Sequence, residues 1–111
     1  MWESQITFDY TRPDSSAVTG SYGARLLADG DGQAVMLVRD ISGQSATNAW
    51  DATFVRHLKA VAQAEGNVEP ERILLFDDGS VGGVVGHYAE LDEDGRAETV
   101  PAELVERWLD R

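Results

Sequence analysis

Cysteine is absent from the 111 residues, so no disulfide, thiolate nucleophile or cysteine-based zinc site can form. A chain of this length buries roughly two thirds of its unfolded surface, so it can fold without such a staple. Its lack of cysteine fits a reducing cytosol. Long hydrophobic runs are missing too. The longest is Ala34 to Val38, against the roughly 20 residues of a membrane-spanning helix. The start, Met1-Trp2-Glu3-Ser4-Gln5, has neither the basic nor the apolar segment of a secretory signal. These absences predict one soluble, cytoplasmic domain over residues 1–111.

Basic residues are scarce: 9 against 20 acids, a net charge of −11. Phosphate backbones would be repelled, which argues against direct binding of DNA or RNA. The charge is uneven. Residues 1–64 hold 7 acids and 5 bases, whereas residues 65–111 hold 13 acids and 4 bases, a net of −9. The plain reading is solubility. The sharper one is a surface suited to a basic partner.

Alternation marks the first strand: Ile6, Phe8 and Tyr10 on one face, extended by Trp2 and Ser4. Thr11 to Gly20 reads as a loop, rich in Ser, Thr, Asp, Pro and Gly. Tyr22 to Ala28 and Gln33 to Ile41 read as two strands about a turn at Asp29-Gly30-Asp31-Gly32, where Asp-Gly supplies positive φ. The run Ala34 to Val38 is apolar on both faces, which predicts a central strand covered on each side. A helix is expected over 48–65, with Trp50, Phe54, His57, Leu58 and Val61 on one face. Ser45, Thr47 and Asn48 are its candidate N-caps and Gly66 its stop. Arg72 to Phe76, Gly82 to Leu91 and a short Arg96 to Val100 read as strands. Pro101 opens a final helix with Leu104, Val105, Trp108 and Leu109 in a stripe. The expected fold is α+β, in the order βββ-α-ββ(β)-α. It is a two-layer domain with a mostly antiparallel sheet and one long helix packed on one sheet face.

No catalytic motif emerges. Gly43-Gln44-Ser45-Ala46-Thr47 approaches a nucleophile elbow but lacks its second glycine, and helix capping accounts for it. His57 falls among apolar residues and reads as packing. His87 sits mid-strand between Gly86 and Tyr88, with Glu90 three positions on. The runs from Asp29 and from Asp92 resemble fragments of calcium loops. The first has Ala34 where the EF-hand needs glycine, and the second has Arg96 at a ligand position. A weak cation site at 92–94 is the residual alternative. Gly79, Gly82, Gly83 and Gly86 lie between strands without a Lys or Arg, which suits a bulge better than a phosphate cradle. The paired carboxylates Asp77/Asp78, Asp92/Glu93/Asp94 and Glu103/Glu106 fall in turns or on a polar helix face, where water solvates them. No cofactor and no metal is implied.

Ser45-Ala46-Thr47-Asn48-Ala49 before a helix, then Arg72 to Asp77 and Tyr88-Ala89-Glu90-Leu91, resembles short uncharacterised bacterial proteins with a Ser-x-Thr-Asn helix start. The resemblance covers residues 45–91 and implies no activity. In type, though not in sequence, the chain also resembles small acidic phage and plasmid inhibitors that present carboxylates where DNA presents phosphates. The leading expectation is a non-enzymatic domain that binds a basic, nucleic-acid-handling protein through Asp77, Asp78, Glu90, Asp92, Glu93, Asp94 and Glu98. The alternatives are a small enzyme or ligand-binding module using His87 or His57, and an oligomerisation domain using the first strand or the Trp108 helix.

Overall fold

The fold is that of a computed structural model, and it describes residues 2–11, 15, 17–43, 51–77 and 87–109. The elements are β1 (Glu3–Thr11), β2 (Ala17–Ala28), β3 (Ala34–Gly43), α1 (Ala52–Gly66), β4 (Arg72–Asp77), β5 (His87–Leu91), β6 (Ala97–Val100) and α2 (Ala102–Leu109). The six strands lie in one sheet in sequence order. Neighbours pair antiparallel except at the centre, where β3 and β4 run parallel with α1 between them in the chain. A parallel pair cannot be joined by a tight turn and needs such a crossover.

Side chains on a strand alternate between faces, and here both faces are apolar. Met36, Val38, Ile73 and Leu75 join Ile6, Phe8 and Tyr22 beneath Phe54, Val55, Leu58 and Ala62 of α1. Val35, Leu37 and Leu74 turn the other way and join Leu27, Tyr88 and Val100 beneath Val105 and Trp108 of α2. The two described helices therefore cover opposite faces, so the described residues form three layers where two were expected. Ala34 to Val38 is covered on both sides, as its composition requires. α2 has eight residues, too few to persist alone in water, so burial of Val105 and Trp108 holds it. A fully buried side chain of this size contributes about 1.5–3 kcal/mol.

Three local expectations change. The segment read as a loop is partly strand: β1 continues to Thr11 and β2 begins at Ala17, with Thr11 opposite Ala17. Its polar residues are tolerated because Thr11, Ala17 and Thr19 face water. The N-cap of α1 is Asp51, whose Oδ1 accepts from the Phe54 N–H at 2.9 Å. Ser45, Thr47, Asn48 and Trp50 lie outside the described residues. The left-handed residue that ends α1 is Asn67 (φ 55°), not Gly66. Gly66 serves close approach instead, since a Cβ there would sit 2.6 Å from Leu26 Cδ1 and 3.4 Å from Trp2 Cγ.

The two acidic turns are built alike. Asp29 Oδ1 accepts from the N–H groups of Asp31 and Gln33, and Asp92 Oδ1 accepts from those of Asp94 and Arg96. Gly32 and Gly95 take φ of 82° and 84°. Each Asp-x-Asp-Gly unit thus reverses the chain with its first carboxylate tied to its own backbone.

Candidate functional site

Of the seven carboxylates expected to form one surface, the six on described residues fall at two places. Asp77 ends β4 and pairs in register with His87, at the start of β5. Asp92, Glu93 and Asp94 follow the other end of β5, five positions on, or about 17 Å at strand spacing. Glu90 and Glu98 are direct cross-strand partners near that second end. Asp78 and the glycines at 79, 82, 83 and 86 lie outside the described residues. The structure thus brings together Glu90, Asp92, Glu93, Asp94 and Glu98, and sets Asp77 apart from them.

Within this group the carboxylates differ. Asp92, Glu93, Asp94 and Glu98 are exposed. Glu90 is engaged: both its oxygens take guanidinium N–H groups of Arg72, at 2.7 and 3.1 Å. A cleft of 340 Å³ runs between Glu90, Asp92 and Glu98, with Arg96 on its wall. Among the described residues no group of three or more His, Asp or Glu is placed to hold a metal ion.

Arg72 also reaches the buried Asp29 at 3.5 Å, and its guanidinium lies 5.0 Å from the Trp108 ring. For Asp29, burial alone would raise the pKa. The Gln33 and Asp31 amides and Arg72 outweigh it and hold the carboxyl below its usual range. Glu90 and Asp29 in turn hold the Arg72 guanidinium above its usual value, against the effect of burial. This triad pins the β2–β3 turn to β4 and β5 under α2, and its work is structural. Sequence reading missed it because its members are far apart in the chain. The available signal was Asp29, which repeats the Asp92 turn pattern but faces inward.

His57, half-buried on α1, faces the sheet among aromatic side chains. Its ring stacks on Phe54 (6.1 Å, 20°), lies 5.5 Å from Phe8, and its Nε2 meets the Tyr22 hydroxyl at 3.1 Å. Burial lowers the pKa of His57 and raises that of the wholly buried Tyr22. With the imidazole neutral, the Tyr22 hydroxyl and His57 Nε2 share this hydrogen bond in the direction the tautomer sets. His87 lies in β5 beside Asp77 in register, on a different element from His57. Trp108 is buried and Leu109 packs against the same core, so the α2 stripe faces inward.

Comparison with protein-family models, curated proteins and solved structures gives no match. Among the described residues no helix is long and apolar enough to cross a membrane.

Proposed function

We propose that this chain is a non-enzymatic protein-binding domain that covers a basic surface of a partner, of the kind nucleic-acid-handling proteins present. One observation carries the reading. Asp92, Glu93, Asp94 and Glu98 are exposed at one end of the outermost strand pair, and none of them has an ion pair with a described residue. Residues 87–109 hold seven carboxylates against two arginines, and the exposed Glu103 and Glu106 of α2 extend the same negative field. Unpaired carboxylates on a rim steer encounter with a cationic surface and raise the association rate. The proposed contact set centres on Asp92, Glu93, Asp94 and Glu98, with Glu90 committed to Arg72 and with Asp77 at a second locus.

The test starts from a partner captured from a host lysate and then purified. Binding is measured between about 50 and 500 mM salt, where screening shortens from beyond 10 Å to a few ångströms. The proposal expects affinity to fall steeply, and charge reversal at Glu93 and Asp94 to reproduce the loss at low salt. Equal affinity across that range, for both proteins, would remove it.

A further inference from the structure

The sheet ends in two unlike edges. β6 has four residues and carries Glu98, and short, charged strands guard an edge against further pairing. β1 has nine residues, with no proline, lysine or arginine among them, and it pairs with β2 without a bulge from Glu3↔Arg25 to Thr11↔Ala17. The hydrogen bonding shows which of its groups point outward. The Leu26 N–H donates to the Trp2 carbonyl at 2.9 Å, and these two residues continue the same register. In an antiparallel pair such bonds fall at every second residue. Trp2, Ser4, Ile6, Phe8 and Tyr10 therefore turn their N–H and C=O groups to β2, whereas Glu3, Gln5, Thr7, Asp9 and Thr11 turn theirs to the outer edge. Among the described residues no further strand takes these up, and the Gln5 carbonyl accepts from Ser4 Oγ at a long 3.4 Å.

The Gln5 side chain leans back over β2, where a Cβ on Gly23 would meet its Nε2 at 3.0 Å, in a cleft of 420 Å³ that Arg25 and Arg39 also line. It leaves the backbone edge uncovered. A second copy running antiparallel fits this edge best when centred on Thr7. Thr7 then faces itself, Gln5 faces Asp9 and Glu3 faces Thr11. All the outward residues pair, with roughly ten backbone hydrogen bonds, and no two acids are opposed. On the α1 face Ile6 comes opposite Phe8, an aliphatic–aromatic pair of the kind that stabilises sheets. A slip of two residues one way sets Glu3 against Asp9 twice, and the opposite slip leaves Glu3 unmatched. Charge on the strand therefore selects the fullest register. The acid-rich strands β5 and β6 lie four and five strand spacings from β1, about 19–24 Å. That is well beyond the screening length of about 8–10 Å, so their field opposes this contact only weakly.

We propose that β1 pairs antiparallel with β1 of a second copy of this chain, joining two sheets edge to edge into one. The contact is independent of the acidic rim, and it leaves one rim exposed at each outer end of the joined sheet. A single strand pair buries less than a standard protein interface, so the dimer is weak and reversible.

The experiment is sedimentation equilibrium of the full chain from about 10 μM to about 1 mM, at about 50 and about 500 mM salt. Amide hydrogen exchange is followed by NMR at both ends of the concentration range. A monomer–dimer equilibrium is expected that tightens with salt, as the net charge of −11 is screened. That is the opposite dependence to the one expected of the rim with a basic partner. Exchange at Gln5, Thr7 and Asp9 should slow severalfold with concentration, since pairing at this edge is what bonds those amides. Thr7→Pro removes the central N–H, which makes no bond to β2. Thr7→Lys sets two cations face to face. Each should weaken the dimer at least tenfold, whereas Gln63→Lys, the same charge change at an exposed position of α1, should not. The Thr7 side chain is exposed, so the lysine variant tests the contact even if the proline variant disturbs the fold. A chain that stays monomeric throughout would overturn the proposal. So would a dimer in which those amides exchange as fast as in the monomer, or one that Thr7→Lys leaves intact.

Discussion

Removing the side chain of Asp51 tests where α1 begins. Asp51 Oδ1 accepts from the Phe54 N–H at 2.9 Å, and the Val55 N–H reaches the Asp51 carbonyl at 3.1 Å. A side-chain cap of this kind contributes about 1 kcal/mol. The first turn of α1 holds no acid of its own, so Asp51 also supplies the negative charge that the helix dipole favours, about 0.3–1 kcal/mol more at a surface site. Asp51→Ala should therefore cost about 1–2 kcal/mol. In a domain of this size that lowers the melting temperature by roughly 4–8 °C for each kcal/mol. Asp51→Asn keeps the acceptor and loses only the charge, so it should cost the smaller, salt-sensitive share. Thermal unfolding followed by circular dichroism at pH 7, at low and high salt, separates the two. The reasoning fails if Asp51→Ala unfolds with the wild type, or if Asn48→Ala is the more damaging substitution.

Three further outcomes follow from the core and the turns. Leu58→Ala, at a wholly buried site under α1, should lose about 2–5 kcal/mol in urea unfolding; the exposed Gln63→Ala should stay within about 0.5 kcal/mol, and equal effects would refute the packing. Gly95→Ala should cost about 1–2 kcal/mol because its φ of 84° strains any side chain, whereas Gly30→Ala, where a Cβ would meet Trp108 Nε1 at an ordinary 3.8 Å, should cost little; similar losses would contradict the turn geometry. Burial keeps His57 neutral and its pKa below the ordinary value, so the unfolded chain protonates first and the stabilisation is complete only above about pH 6.5. The urea midpoint should fall as pH drops from there through the lowered value, more steeply than in His57→Gln, and parallel profiles would show that His57 plays no part.

Much of the sheet was legible because local rules and tertiary packing agree. The unbroken Ala34–Val38 run marks a strand buried on both faces, and Phe54 with Leu58 marks the inner side of α1. The layering was harder to read, since the sequence shows that β3 is covered twice but not which helix supplies each cover. The cap at Asp51 was hidden by several competent residues just upstream. The acidic turns were recognised as turns, and the tying of each leading Asp to its own backbone follows from geometry. The cleft beside Gly23 depends on cross-strand register. Gln5, Gly23 and Arg39 come from three strands, and only pairing sets them in one row. The Asp29–Arg72–Glu90 triad likewise joins segments with no shared spacing.

The parallel seam divides the sheet into two three-stranded meanders, joined by only four register pairs from Val35↔Arg72 to Val38↔Leu75. Within each meander most pairings link chain neighbours, and hairpins of this type form in about 1–10 μs. The seam must wait for a much longer closure through α1, whose entropy is lost before those four pairs can offset it. Each half should therefore take shape early, and docking of β4 on β3 under the helix should set the folding rate. Substitutions in the seam should then slow refolding, whereas changes at either outer edge should chiefly hasten unfolding.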